Sequence, residues 1–393
     1  MKTSQLVELE NEVLLKTYAR PPVVMSHGVG ARLYDVEGRS YLDFIAGIAV
    51  NGLGYGDQDV LDTLKKQAEK IWHVSNLYHT EPQILLAKAL VDYTFADRVF
   101  FCNSGTEAIE GAIKLARKWS RQKTGRKQVE ILAFKDSFHG RSYGGLSATG
   151  QPKFWQDFEP MLPGFNHATF NDMDSVKSAW NENTAAVLLE PIQGEGGIFP
   201  AEKSFLQELR QWCDEHQALL IFDEIQCGLG RTGYFCAHDY YGITPDIMTL
   251  AKPLAAGLPM GAILMTEQVA EPISVGHHGS TFGGGPLVCQ VARTVLDKLS
   301  NPALLQNVKN MGALFVESIK AKNLPPVQAI RGRGLMVGVQ VDADPGTIVK
   351  KCFDNGLLIG KAGNQTLRFV PPLIVQRSDI EQAVDIFAKA LSD

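Results

Sequence analysis

Two apolar runs of strand length, each ending abruptly in charge, constrain this chain more than any other feature. Residues 218–222 (ALLIF) stop at Asp223 and Glu224, and residues 247–251 (IMTLA) deliver Lys252 ahead of Pro253 and a loop punctuated by Gly257 and Gly261. Runs of this composition suit strands buried on both faces. In open α/β sheets ligands bind beyond the carboxyl ends of the strands, so both charges are expected to face one crevice. A desolvated lysine has a depressed pKa and becomes a nucleophile toward carbonyls. By itself the pattern favours a solvated lysine and an acidic pair capping a loop; the rest of the chain reverses that preference.

The same alternation recurs from 98 to 265. Residues 98–102 (RVFFC) read as a buried strand feeding Asn103-Ser104-Gly105-Thr106-Glu107, after which Ile109, Ile113, Ala116 and Trp119 mark one helix face. Ser104, Gly105 and Thr106 thus occupy a helix N-terminus, where free N–H groups and the dipole suit a phosphate; a plain capping box explains them equally well. Residues 129–134 form another strand, followed by KDSFHGRSYGG, in which Phe138 could stack on a planar ring and Arg141 could hold a carboxylate bidentately. Residues 185–190 end at Glu190, and a glycine-rich turn containing Glu195 follows. The pattern predicts an α/β fold: a largely parallel sheet with helices on both faces and chemistry in the loops at one edge.

The flanks predict a smaller α/β lobe. A helix over 6–17 ends at Pro21-Pro22, a hairpin turns at Asp35–Gly38, and helices cover 58–71 and 83–92. Beyond the centre lie HHGSTFGGGP, with Ser280 and Thr281, and helices over about 286–299, 303–322, 345–355 and 378–391, with strands at 335–341, 357–360 and 367–375. The expected division is an arm and part of the small domain over 1–50, a large domain over 51–290 and the rest of the small domain over 291–393. Arg368, inside an apolar run, needs an anionic partner. His277 and His278 read as loop residues, with no metal site expected.

Across 393 residues the net charge is −5, with no long basic or acidic run, which argues against a nucleic-acid or membrane-surface partner. No apolar run reaches the roughly 18 residues of a membrane span, and a cytoplasmic location is expected. Six scattered cysteines without a CxxC pair suit reduced thiols.

Taken together, LYDVEGRSYLDFIAGIAVN, FADRVFFCNSGTEA, SFHGRSYG, EPIQGEGG, LLIFDEIQCGLGRTG, AKPLAAGLPMGA, HGSTFGG and LRFVPPL resemble the class III aminotransferases. These are fold-type I pyridoxal-phosphate enzymes acting on ω-amino groups, and the likeness runs from about Tyr18 to Leu391. The resemblance implies that Lys252 carries the cofactor as a Schiff base and shuttles a proton, and that Asp223 pairs with the pyridine nitrogen. It implies Ile225 and Phe138 against the ring faces, Gln226 near the ring hydroxyl, Glu224 among the cofactor contacts, and Gly105 and Thr106 on the phosphate. Thr281 is expected to reach the partner subunit's phosphate, so that the site needs a homodimer. Arg141, Ser280 and Tyr18 are expected at the substrate, with Glu195 covering Arg368 until 2-oxoglutarate arrives. The implied donor is N2-acetylornithine; succinyldiaminopimelate, succinylornithine, ornithine and 4-aminobutyrate are alternatives. Against a non-catalytic cofactor-binding protein stands the presence of every one of these groups; a Ser-His-acid hydrolase lacks its GxSxG elbow. Gly285, Ile109 and Ala256 depart from the family's usual residues.

Overall fold

A computed structural model describes residues 2–392. Its centre is a seven-stranded sheet in the spatial order Arg98–Cys102, Gly261–Met265, Ile247–Leu250, Leu219–Asp223, Thr184–Leu189, Glu130–Phe134 and Phe165–Ala168. All neighbours are parallel except around Gly261–Met265, which runs against both of its partners. Every residue of Thr184–Leu189 and Leu219–Asp223 is buried, as unbroken apolar runs between two helical layers require. The helix Gly105–Lys123 packs Ile109, Ile113, Ala116 and Trp119 onto one face of the sheet, and Lys203–Glu215 packs Phe205, Leu206 and Leu209 onto the other.

The expected α/β layering is present, with one element the pattern missed. Gly261–Met265 is a full central strand, whereas Gly257 and Gly261 suggested loop alone. It inserts between Arg98–Cys102 and Ile247–Leu250 and sets the phosphate-type turn at residues 103–106 beside the lysine segment.

Two smaller sheets flank this core. Met25–Val29, Arg32–Asp35 and Ser40–Asp43 form an antiparallel meander to which Leu357–Leu358 adds in parallel, Leu357 opposite Leu42, so segments from both ends of the chain share one sheet. The other is antiparallel, in the order Val327–Arg333, Met336–Val341, Thr366–Phe369 and Gly360–Ala362. Gly332 lies within Val327–Arg333 at φ 125°, where a Cβ would fall 2.0 Å from the Met336 carbonyl oxygen. Fully buried Arg231 donates to the carbonyls of Leu335 (2.9 Å) and Pro371 (2.5 Å), stitching this sheet to the loop that leaves Asp223.

The N-terminal helix is Thr3–Val13, shorter than expected, and none of its residues is buried. Helix Pro286–Leu299 matches its predicted bounds and packs across Gln58–Ala68 and Glu81–Tyr93. All six cysteines are buried and unpaired.

Phe222 is wholly enclosed in the cluster beneath Lys203–Glu215. Phe222→Ala is expected to cost about 3–5 kcal/mol, transfer and cavity terms together, read as a lowered urea midpoint.

Candidate active site

The carboxyl ends of the central strands enclose a cavity of about 350 Å³ whose wall includes Ser104, Gly105, Thr106, Phe138, Asp223, Ile225, Gln226 and Lys252. A larger open groove, about 1080 Å³, runs beneath the N-terminal helix between Val7, Pro22 and Val36, and contains none of these groups.

Asp223 is the last residue of a fully buried strand and is itself 4% exposed. A carboxylate there must be hydrogen-bonded to be tolerated. Its Oδ2 meets His139 Nδ1 at 2.8 Å, and its Oδ1 accepts from Ile225 N at 3.1 Å and Thr249 Oγ1 at 3.4 Å. Thr249 sits opposite Asp223 in the parallel register, so the sheet itself supplies that donor. His139 was not singled out from the sequence; the only signal was its place beside Phe138. Its Nε2 is buried with no hydrogen-bond partner among the described residues.

Lys252 follows the neighbouring strand. Part of its side chain is open to the cavity, while the packed surroundings of Nζ hold its pKa below the ordinary lysine value; Asp223 opposes that shift and Arg368 adds to it. The backbone here is unusual: Ala251 at φ −159°, ψ −123° and Lys252 at φ 30°. Sparsely populated conformations of this kind persist where the surroundings over-determine them, as active sites do. Ala256 ends the turn at φ 51°, in the left-handed region that favours glycine.

Ser104 caps the nineteen-residue helix Gly105–Lys123, its Oγ accepting from Glu107 N at 3.2 Å. The Glu107 carboxylate reaches back to Asn103 N at 3.0 Å rather than to Ser104. Capping and an anion cradle therefore coexist, since the cap satisfies one of the helix's first donors and leaves Gly105 and Thr106 lining the cavity. A Cβ on Gly105 would meet Ile225 Cδ1 at 2.8 Å.

Arg368, 3% exposed on strand Thr366–Phe369, forms an ion pair with Glu195 and also donates to Gln226 Oε1 at 3.3 Å. Its Nε is buried without a partner among the described residues. Arg141 is exposed, its guanidinium 4.0 Å over the Phe154 ring and 5.7 Å from that of Phe138.

Other expected residues lie elsewhere. Glu224 faces away from the cavity: its carboxylate accepts from Ala237 N (2.5 Å), His238 N (2.8 Å) and His238 Nδ1 (2.7 Å), because successive strand residues point to opposite sides. The carboxylate thus lies off the cavity wall, where the resemblance implied a cofactor contact. Glu224, Cys236 and His238 form a buried cluster of metal-type ligands, but the glutamate oxygens are spent on those three donors. Tyr18 is 72% exposed with Arg20 over its ring, outside the cavity wall. Ser280 Oγ accepts from Asn103 Nδ2 at 3.2 Å and from Gly283 N at 3.0 Å, and Thr281 is exposed beside it.

A helix-end cradle, a buried acid held in one orientation and an amine of lowered pKa fit a phosphate-bearing aromatic aldehyde. A family model described as aminotransferase class-III matches residues 15–391. A mitochondrial acetylornithine aminotransferase of Alnus glutinosa is 48% identical over 99% of this chain and 88% of its own length. The acetylornithine aminotransferase of Methanocaldococcus jannaschii is 43% identical over 100% and 99%. Among solved structures, the ornithine aminotransferase of Toxoplasma gondii has a TM-score of 0.96 at 32% identity, covering 100% of this chain and 95% of that one. The N-acetylornithine aminotransferase of Stenotrophomonas maltophilia has 0.85 at 38%, covering 98% of each.

Gly105→Ala drives a methyl into Ile225, and overpacking of this size is expected to weaken retention of pyridoxal phosphate roughly tenfold, measured by equilibrium dialysis.

Proposed function

The chain belongs to the class-III aminotransferase family, a pyridoxal-phosphate-dependent group, and we propose that it moves the δ-amino group of N2-acetylornithine to 2-oxoglutarate. The products are N-acetylglutamate 5-semialdehyde and glutamate, and the reaction serves arginine biosynthesis. The observation that carries this reading is the buried Arg368 closed by Glu195 beside Lys252. A site serving a donor with one carboxylate and an acceptor with two must hide a cation in one half-reaction and expose it in the other.

When bound, pyridoxal phosphate supplies a carbonyl for the amino group and a ring that withdraws electrons from the substrate carbon. Asp223, oriented by His139, would hold the proton on the ring nitrogen. Gly105 and Thr106 would hold the phosphate, Phe138 and Ile225 would exclude water from the ring, and Gln226 would meet its hydroxyl. Lys252 would anchor the cofactor. Its amine, neutral more often than that of an ordinary lysine because burial lowers its pKa, would take the proton from the substrate's amine-bearing carbon and hand it to the carbon that had been the cofactor's aldehyde. Arg141 binds the donor's α-carboxylate and, in the second half-reaction, the distal carboxylate of 2-oxoglutarate. Arg368 then leaves Glu195 for the carboxylate next to the reacting carbon.

The working unit in this proposal is a homodimer in the cytoplasm. Its support is the exposure of Trp72, Leu77, Tyr78 and Phe282, large apolar side chains on the segment that Asn76 ties to the Ser280–Gly283 loop and on that loop itself, and of Thr281, which then serves the partner's phosphate with Ser280 near the substrate. Tyr18, on the exposed arm, belongs to the substrate side of the same assembly. Among the described residues no helix is long and apolar enough to cross a membrane. We divide the chain into residues 51–290, carrying the cofactor, and a small domain from 1–50 and 291–393. Ornithine is the second reading of the donor, favoured by the likeness to ornithine aminotransferase structures.

The visible band of the bound cofactor is expected to bleach with N-acetylornithine and return with 2-oxoglutarate. Bleaching by ornithine alone would move the donor, and a protein without the band would remove the cofactor. Lys252→Ala is expected to lose turnover by roughly ten-thousand-fold while still binding cofactor through its phosphate. Glu195→Gln leaves Arg368 without its carboxylate and is expected to tighten 2-oxoglutarate binding roughly tenfold, seen as a lowered KM for that substrate alone.

A further inference from the structure

We propose that Glu190 is a positioning residue that clasps the two loops of the site, so that the ring-side loop at Phe138 and the arginine-covering turn at Glu195 move as one unit. Glu190 directly follows strand Thr184–Leu189, is 5% exposed and lies in the cavity wall. Each of its oxygens serves one loop: Oε2 accepts from Phe138 N and Oε1 from Gly194 N, both at 3.0 Å. Phe138 adjoins His139, the partner of Asp223, and Gly194 adjoins Glu195, the partner of Arg368. The turn has no slack on its other side, since a Cβ on Gly194 would meet Gln226 Nε2 at 2.6 Å. Gln226 in turn accepts from Arg368. The carboxylate is thus the link between the groups that hold the ring and the groups that admit a second carboxylate.

The link depends on charge state. Both partners are N–H donors, which the ionised carboxylate meets with two strong acceptors; protonation puts a hydrogen on one oxygen and leaves it a much weaker acceptor for that loop's N–H. Burial pushes the Glu190 pKa up to about 7, with His139 pulling it down and the Asp223 carboxylate pushing it up. Lys252 and Cys227 are the other titratable groups in its field. As pH falls through 7 the clasp opens, and as it rises the clasp closes.

This inference rests on the proposed transamination only for its kinetic arm. In the holoenzyme, amide hydrogen exchange in peptides spanning 136–140 and 192–196 is compared with neighbouring peptides between pH 6 and pH 8. After correction for intrinsic chemistry, protection in one of the two loops is expected to fall roughly tenfold toward pH 6, the worth of one charged hydrogen bond. Glu190→Gln, with one acceptor and one N–H₂, is expected to show that loss at every pH. It should also flatten the pH dependence of the 2-oxoglutarate half-reaction near 7, which a merely structural role would not do. Unchanged, pH-independent protection in the wild-type protein overturns the clasp even if the variant does not fold. Protection that behaves as expected in an enzyme inert toward 2-oxoglutarate leaves the clasp standing and sinks the proposed function.

Discussion

The Asp223 carboxylate, buried at the end of a central strand, is the constraint on which the rest of the site depends. An ionised group with so little solvent costs several kcal/mol unless its lone pairs are met by donors. Three elements meet them: His139 from the loop after Glu130–Phe134, Thr249 from the adjacent strand and the backbone of Ile225. The parallel register makes this possible, because two neighbouring strands end at the same level and bring Asp223 and Thr249 side by side. Once fixed, that charge acts on its neighbours. It opposes the effect of burial on Lys252 and reinforces it on Glu190, so one anion sets the proton affinities of an amine and an acid in opposite senses relative to desolvation.

The second charge centre shows a different solution to the same cost. Half-buried Glu195 neutralises the buried Arg368, and removing the carboxylate would leave the arginine's charge uncompensated. A site that must sometimes present the arginine therefore needs an incoming carboxylate to replace the glutamate rather than a simple opening. The partnerless Nε of Arg368 is a donor in waiting for such a group.

Much of this was legible in the chain itself, for identifiable reasons. Apolar runs flanked by abrupt polarity gave the strands ending at Asp223, Lys252 and Glu190, since burial on both faces leaves no alternation to confuse. The need of Arg368 for an anion followed from its apolar neighbours alone. Gly261–Met265 was hidden because a short run after two glycines reads as loop until its neighbours pair with it. His139 was hidden because histidine in a loop carries no periodic signal, and its role exists only through a contact with a residue distant in sequence. The turn of the Glu224 carboxylate away from Asp223 was hidden because adjacency in sequence at a strand end means opposite sides in space.

The shared sheet in which Leu357 pairs beside Leu42 has a consequence for how the molecule comes into being. That pairing spans most of the chain, so the meander of Ser40–Asp43 cannot complete its edge until nearly all of the polypeptide has left the ribosome. Contacts of such sequence separation are slow to form, and an unpaired strand edge is open to wrong partners while it waits. The central layers draw only on strands between residue 98 and residue 265, whereas the meander waits for residue 357 and the neighbouring small sheet for residue 369. Chaperone dependence and truncation sensitivity in this protein should accordingly concentrate at its C-terminal end, the segment that also carries Arg368 into the site.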